Sequence, residues 1–182
     1  MPPSPCAHEK RRAPVDNHAP VATASPVPHI QMNSNASLLL EEQLCFALYS
    51  ATNQVIRAYR APLAALGLTY PQYLAMLVLW EQGEQTVKGL ADRLALDSST
   101  LTPLLRRLEG AGFVNRTRDP VDQRVVRIAL TPAGTALRRR VAQVQEGVAC
   151  KTGLSCSSFV RLRTQLHKLA SVVAEEVEAS AA

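Results

Sequence analysis

The sequence predicts a mainly α-helical fold that carries one small β-hairpin, and three observations support this prediction. Apolar residues make up 47% of the 182 residues but aromatic residues only 4%, a balance typical of packed helices rather than stacked sheets. After about residue 35, apolar positions recur at helical spacing along most of the chain. Between about 114 and 130 the apolar period changes to two residues, as in strands.

Composition and charge limit the classes of protein to which this chain can belong. A chain of 182 residues suits one compact domain with some appendage. A formal net charge of +5 favours a polyanionic partner, either nucleic acid or an anionic membrane surface. No stretch reaches the roughly 18 consecutive apolar residues that a membrane span requires, and the amino terminus lacks the apolar core of a signal peptide. We therefore expect a cytoplasmic protein.

The four cysteines, Cys6, Cys45, Cys150 and Cys156, are widely separated. In a reducing compartment, reactive thiols or metal ligands are more common than structural disulfides. No CxxC pair occurs, and none of the four histidines lies at ligand spacing from a cysteine, so a zinc site is not expected. The sequence therefore favours thiol chemistry that needs neither a metal nor a cofactor.

The first 35 residues differ in composition from the rest of the chain. They contain seven of the 12 prolines, mixed with Ala, Ser, His and Asn, and they show no apolar period. Such a segment cannot bury enough apolar surface to fold. We predict a disordered tail over 1–35, whose role and whose Cys6 stay unassigned, and a single domain over 36–182.

The apolar pattern of the domain begins with four predicted helices. The first starts at Ser37, a plausible N-cap, and ends or kinks at Pro62. Thr69 caps the second helix and Gly83 ends it. The third and fourth are joined by a short turn, which predicts a helix-turn-helix. The four helices are expected at about 37–60, 69–83, 86–94 and 99–111.

A β-hairpin is predicted directly after the helix-turn-helix. Alternation over 114–118 and over 126–130 indicates two strands, with a turn at 119–122. A hairpin in this position makes the arrangement that of a winged helix-turn-helix. The DNA-binding part would cover about 69–130, and two further helices are expected at about 131–148 and 159–178.

Polar and basic side chains are concentrated where a winged helix meets DNA. Major-groove readers present short polar side chains and arginine from the amino-terminal half of the recognition helix. The matching residues are Ser98, Ser99, Thr100, Thr102 and Arg106. Guanidinium groups of a wing can enter the minor groove or contact phosphates. The hairpin supplies Arg116, Arg118, Arg124 and Arg127. Helix capping or a solvated hairpin would explain each feature alone, but together they predict binding to double-stranded DNA.

Five segments carry a family resemblance. DSSTLTPLLRRLEGAGF over 97–113, DPVDQR over 119–124 and LTPAG over 130–134 resemble the MarR family of bacterial transcription regulators. LLEEQLCFALYS over 39–50 and LTYPQYLAMLVLW over 68–80 resemble its organic-hydroperoxide-sensing branch, OhrR, of the two-cysteine type. The resemblance covers the chain from about residue 37 to its end.

The resemblance implies a homodimer that forms through the first and last helices. Each subunit would present one winged helix to half of a pseudo-palindromic operator and so repress a hydroperoxide-reducing enzyme. In the wing, Asp122 would pair with Arg124 and hold its guanidinium at the minor groove.

The resemblance also implies a cysteine switch. Cys45 would be oxidised by an organic hydroperoxide, and because only a thiolate reacts with peroxides, the anion needs stabilisation. The hydroxyls of the partner subunit's Tyr59 and Tyr70 would donate hydrogen bonds to the sulfur. Cys150 of the partner subunit would then form a disulfide with Cys45, with Cys156 as the alternative.

Three alternatives stay open at this level. Cys45 could be a small buried apolar residue, and a non-covalent ligand would then release the DNA. The chain could be a thiol peroxidase, since sulfenic acid formation followed by disulfide exchange is also a catalytic cycle. It could also be a dimeric interaction module without a role on DNA. We expect a regulator rather than an enzyme, because an arginine-bearing hairpin has no use in peroxide turnover.

Overall fold

The computed structural model describes residues 38–181 of the chain. Its α-helices are α1 (Leu44–Ala64), α2 (Tyr70–Gln82), α3 (Val87–Leu94), α4 (Ser98–Gly110), α5 (Pro132–Lys151) and α6 (Cys156–Ala181). Its strands are β1 (Gln85–Thr86), β2 (Val114–Arg118) and β3 (Val126–Leu130), and a 3-10 helix covers Leu40–Glu42. The predicted disordered tail over 1–35, with Cys6, lies outside the described residues.

The chain divides into two compact units. Residues 43–153 hold α1 to α5 and the sheet, whereas residues 38–42 and 154–181 hold the 3-10 helix and α6. The predicted mainly α-helical architecture with a small β-hairpin is confirmed. None of the helices within residues 38–181 has the length and apolar character needed to cross a bilayer.

The core of the first unit forms around α2 and α4. A capping box starts α2, in which Gln72 Oε1 accepts a hydrogen bond from Thr69 N at 2.8 Å. In α4, leucines at i, i+3, i+4 and i+7 are all buried, as their helical spacing predicts. Burying one such side chain contributes about 1.5–3 kcal/mol. The large side chains with almost no exposed surface are Leu63, Met76, Leu79, Leu90, Leu101, Leu105, Leu108, Val114, Ile128 and Val141.

The sheet is antiparallel and has the strand order β1-β3-β2. The register pairs Val114 with Leu130 and Arg116 with Ile128, which confirms the predicted hairpin. β1 is an addition to the prediction, because two residues are too few to show an apolar period. Its pairing of Gln85 with Ile128 attaches the hairpin to the segment before α3.

The first helix begins later than predicted. α1 starts at Leu44, because Gln43 has extended backbone, with φ −82° and ψ 121°, and separates α1 from the 3-10 helix. The predicted N-cap, Ser37, lies outside the described residues. At the other end α1 continues past Pro62 to Ala64, where the buried side chain of Leu63 anchors the last turn.

The last two helices are longer than predicted. α5 ends at Lys151 rather than near residue 148, and Gly153, with φ +67°, breaks the chain before α6. α6 begins at Cys156 rather than near residue 159, because Ser155 caps it: its Oγ accepts a hydrogen bond from Ser158 N at 3.2 Å.

Candidate nucleic-acid interface and cysteine sites

The helix-turn-helix consists of α3, a short turn and α4. Thr86 caps α3, since its Oγ1 accepts a hydrogen bond from Gly89 N at 2.9 Å. Ala95 ends α3 with left-handed backbone, at φ 51° and ψ 46°. The chain then reverses into α4, whose N-cap is Asp97. Because α4 packs against α2 and α3 through its leucines, its polar face is left at the surface.

The predicted recognition residues lie on this polar face. Ser98, Ser99 and Thr100 form the first turn of α4 and are exposed, and Arg106 is exposed two turns later. Thr102 is only partly exposed, and its hydroxyl donates a hydrogen bond to Ser98 O at 2.8 Å. The structure thus brings three short polar side chains together at a helix amino terminus, where backbone N–H groups favour a phosphate.

The four hairpin arginines, all of them described, divide into two pairs. Arg118 at the end of β2 and Arg124 in the loop are exposed. Arg116 is held by Glu109 of α4, with Nη1 3.4 Å from Oε2, and its side chain is only 20% exposed. The Nε of Arg116 is buried without a hydrogen-bond partner. Arg127 likewise forms ion pairs within the protein, with Asp119 and Glu84. Arg118 and Arg124 are therefore the two hairpin arginines whose side chains are exposed.

Arg127 lies at the centre of an ion-pair network that sequence reasoning missed. Its Nε donates to Asp119 Oδ2 at 2.6 Å, and its Nη1 donates to Glu84 Oε1 at 3.2 Å. Asp119 is buried, and its Oδ1 accepts hydrogen bonds from the backbone N–H groups of Val121 and Asp122. The sequence contained only a weak signal for this network, an aspartate at the start of the predicted turn and an arginine in the strand that follows it.

The network shifts the ionisation of its members. Hydrogen bonds from Val121 N–H, Arg127 and Asp122 N–H hold the pKa of Asp119 below its ordinary value of 3.8. The hydrogen bond to Asp119, followed by the one to Glu84, raises the pKa of Arg127. Both groups are therefore charged at neutral pH.

The Asp122–Arg124 pair is loose. Asp122 Oδ1 accepts a hydrogen bond from the backbone Arg124 N at 3.0 Å. The Nε of Arg124 lies 3.7 Å from the same oxygen, and its side chain is 95% exposed. An exposed ion pair contributes about 0–1 kcal/mol. Asp122 thus orders the loop through the backbone and leaves the Arg124 guanidinium at the surface.

The three described cysteines are free and exposed in the chain. Cys45 is the second residue of α1, in the turn where the helix dipole favours an anion. Cys150 lies in the last turn of α5, and Cys156 is the first residue of α6. The alternative in which Cys45 is a buried core residue is not supported by this exposure.

Tyr59 and Tyr70 lie together, with Tyr73 as a third ring. The ring centroids are 5.5 Å apart for Tyr59 and Tyr70 and 5.4 Å apart for Tyr59 and Tyr73, within the range of favourable aromatic pairs. Burial, and then the neighbouring Tyr59, raises the pKa of both Tyr70 and Tyr73. These two phenols are therefore protonated at neutral pH and can donate hydrogen bonds.

The fold and these surfaces define a class of protein. A helix-turn-helix whose second helix exposes a polar amino terminus, followed by a hairpin with exposed arginines, is a winged helix-turn-helix DNA-binding domain. Among residues 38–181, no three His, Cys, Asp or Glu side chains are grouped so that they could hold a metal ion.

Comparisons with known proteins agree with this class. The model of the MarR family matches residues 68–126. The chain is 45% identical over 135 residues to the HTH-type transcriptional regulator TtmR of Methylorubrum extorquens, across 70% of this chain and 69% of the relative. It is 39% identical over 130 residues to the organic hydroperoxide resistance transcriptional regulator of Bacillus subtilis, across 71% of this chain and 88% of the relative.

Comparison with solved structures also finds a DNA-binding protein of similar fold. Reduced AbfR of Staphylococcus epidermidis bound to DNA matches with a TM-score of 0.66 and 32% identity, over 76% of this chain and 94% of that one. Disulfide-formed AbfR matches with a TM-score of 0.54 and 35% identity, over 72% and 92% of the two chains. The chain belongs to the MarR family of DNA-binding transcriptional regulators.

Proposed function

We propose that this regulator is a homodimeric repressor that leaves a pseudo-palindromic operator when an organic hydroperoxide oxidises Cys45. The observation that carries the proposal is the exposure of the Cys45 thiol in the first turn of α1. An oxidant can reach a thiol in this position, and the thiolate is the form that reacts with peroxides. The similarity to the Bacillus subtilis regulator of organic hydroperoxide resistance supports the same function.

The proposed sensing site needs a second copy of the chain. Cys45 and Tyr59 are fourteen positions apart in α1, which corresponds to about 21 Å along the helix axis. Tyr59 therefore cannot reach Cys45 of its own chain, and Tyr70 lies beside Tyr59. We assign the stabilisation of the thiolate to the partner subunit's Tyr59 and Tyr70. The raised pKa of Tyr70 suits this role, because the phenol keeps the proton that it donates.

The proposed reaction is a two-electron oxidation of sulfur. The Cys45 thiolate attacks the outer oxygen of the hydroperoxide, the O–O bond breaks, and the alkoxide takes a proton and leaves as an alcohol. The thiolate of Cys150 of the partner subunit then attacks the sulfur of the sulfenic acid, the S–O bond breaks as the disulfide forms, and the leaving hydroxide takes a proton to become water. Cys156 is the alternative resolving thiol, and both candidates are exposed. A disulfide across the dimer would change the separation of the two winged helices and destroy their match to the half-sites.

Operator contacts are assigned to the exposed part of α4 and to the hairpin tip. Thr102 and Arg116 receive supporting roles, since Thr102 bonds Ser98 O and Arg116 pairs with Glu109. Asp122 orders the hairpin loop through the backbone of Arg124. The residues assigned to groove and phosphate contacts are Ser98, Ser99, Thr100, Arg106, Arg118 and Arg124.

A groove between α2 and α5 favours a second candidate function, release by a reversible small ligand. Its walls include the apolar side chains of Leu77, Trp80 and Val141 and the charged side chains of Glu81 and Arg138. Concave sites with apolar walls and few charged groups are typical of small-molecule binding. This candidate predicts that DNA release does not depend on Cys45.

The test compares the wild-type protein with Cys45→Ser on a duplex that the reduced wild type selects from a random-sequence pool. Gel shifts are run before and after treatment with cumene hydroperoxide, and mass spectrometry reads the state of each thiol. We expect the wild type to leave the duplex and Cys45→Ser to stay bound. Cys150→Ser should stop at the sulfenic acid, whereas Cys156→Ser should form the same disulfide as the wild type.

Release of Cys45→Ser by the hydroperoxide would contradict the thiol switch. A disulfide that persists in Cys150→Ser but disappears in Cys156→Ser would reassign the resolving thiol. Consumption of far more than one equivalent of hydroperoxide per chain would support a thiol peroxidase instead.

A further inference from the structure

We infer that Asp119, Arg127 and Glu84 form a positioning network that holds the hairpin loop in its DNA-binding shape and thereby places Arg124. The network lies within one compact unit and uses none of the cysteines. The inference therefore depends on DNA binding by the family fold and is independent of the proposed oxidation of Cys45.

The first part of the network is the buried carboxylate of Asp119. One of its oxygens accepts two backbone hydrogen bonds, from Val121 N at 2.9 Å and Asp122 N at 3.1 Å. The other accepts the Nε of Arg127 at 2.6 Å. A carboxylate with donors on both oxygens keeps a single orientation, so the start of the loop is tied to β3.

The second part is the anchorage of Arg127. In the sheet, Arg127 pairs with Thr117 of β2 and with Thr86 of β1, so it lies on the central strand. Its Nη1 contacts Glu84 Oε1 at 3.2 Å, just before β1. Arg127 is thus held from both sides, and its charge is neutralised within the protein instead of being available to DNA.

The third part connects the network to Arg124. Asp119 Oδ1 fixes the backbone of Asp122, and Asp122 Oδ1 in turn accepts a hydrogen bond from Arg124 N at 3.0 Å. Two further bonds close the loop, from Asp119 N to Val125 O and from Val125 N to Asp122 O, both at 2.9 Å. The exposed arginine therefore projects from a loop that is ordered before DNA arrives. Preorganisation of this kind raises affinity without adding a contact.

The experiment is a double-mutant cycle in reduced protein, on the duplex selected by the wild type. Binding is measured for Arg127→Gln, Arg124→Gln and the double variant at several salt concentrations. We expect Arg127→Gln to weaken binding roughly tenfold in the wild-type background, as expected for an interaction of moderate strength. In the Arg124→Gln background the same change should weaken binding less than twofold.

Further variants test whether the loss of binding is specific to the network and not caused by the loss of a charge or by unfolding. Glu84→Gln should weaken binding in the same direction but less, because Glu84 is the outer, half-exposed partner of Arg127. Arg93→Gln is the matched control: it removes one cation and one exposed ion pair, that of Arg93 with Glu81, outside the hairpin. It should leave binding within about twofold of the wild type. Circular dichroism and thermal unfolding confirm that each variant is folded.

Two results would overturn the inference. If Arg127→Gln weakens binding equally in both backgrounds and lowers the salt dependence by about one phosphate contact, Arg127 touches DNA directly. If Arg127→Gln binds like the wild type, the network has no role in placing Arg124. In either case the proposed oxidation of Cys45 is unaffected, since no oxidant is present.

Discussion

Gly134 lies where the start of α5 passes the backbone at Phe113. Its N–H donates to Thr131 Oγ1 at 3.0 Å, and its carbonyl accepts the indole Nε1 of Trp80 at 2.9 Å. A Cβ at this position would overlap the carbonyl oxygen of Phe113, which already accepts a hydrogen bond from Thr131 N. Because glycine has no side chain, the start of α5 can pack directly against the backbone of Phe113, just before β2.

Gly134→Ala is therefore expected to lower the free energy of unfolding by about 1–3 kcal/mol, the usual cost of overpacking. Gly147→Ala in the same helix is the control, because a Cβ there meets nothing within 4 Å. It should raise stability by about 0.4–1 kcal/mol, since alanine restricts the unfolded chain. Urea unfolding of both variants measures the difference. Equal stability of the two variants would contradict the close approach at Phe113.

The helix-turn-helix is the element on which DNA reading depends, and its turn carries a strained residue. Ala95 has φ 51° and is the non-glycine residue with positive φ among residues 38–181. The left-handed conformation costs an L-residue about 1–2 kcal/mol, and glycine avoids most of this cost. The turn is therefore less stable than it could be.

Ala95→Gly should raise the free energy of unfolding by about 0.5–1 kcal/mol, because relief of strain exceeds the added entropy of the unfolded chain. Ala111→Gly is the control, since Ala111 ends α4 with ordinary right-handed backbone at φ −80°. Glycine should lower stability there by about 0.5–1 kcal/mol. Thermal unfolding of the two variants should shift in opposite directions, and a shift in the same direction would exclude strain at Ala95.

At the scale of the whole molecule, α6 presents an apolar stripe that no other described residue of its own unit, 38–42 and 154–181, covers. Spacings of three, four and seven residues place its members on one face of the helix. They are Phe159, Leu162, Leu166, Val173 and Val177, all exposed. Apolar faces of this kind mark interaction sites, and a second copy of α6 is the occupant that the proposed homodimer supplies.

Leu166→Glu is expected to convert the proposed dimer into a monomer and to abolish operator binding, because a buried unpaired carboxylate is costly at an apolar interface. Thr164→Glu adds the same charge on the opposite face of α6 and should leave a dimer that binds DNA. Sedimentation equilibrium gives the mass of each variant, and gel shifts give the binding. A dimer of wild-type strength in Leu166→Glu would remove α6 from the interface.

Local rules predicted most of the elements. Apolar spacing identified the leucine face of α4, and period-two alternation identified β2 and β3, because both signals arise between neighbours in sequence. The two-residue β1 was missed, since so short a strand exists only through its pairing with β3. The start of α1 was placed too early, because the apolar residues before Gln43 continue the helical pattern, whereas the extended backbone of Gln43 interrupts the helix.

The candidate site was predicted as a set of residue types, and tertiary structure decided what each one can do. Sequence alone determined a winged helix with polar residues at the start of α4, a basic hairpin and a cysteine in the first helix. Only the folded chain separates the exposed Arg124 from Arg127, whose partner Glu84 lies 43 residues away. The physical reason is that helix and strand signals are local, whereas the charge partners and burial of a side chain depend on which distant segments pack beside it.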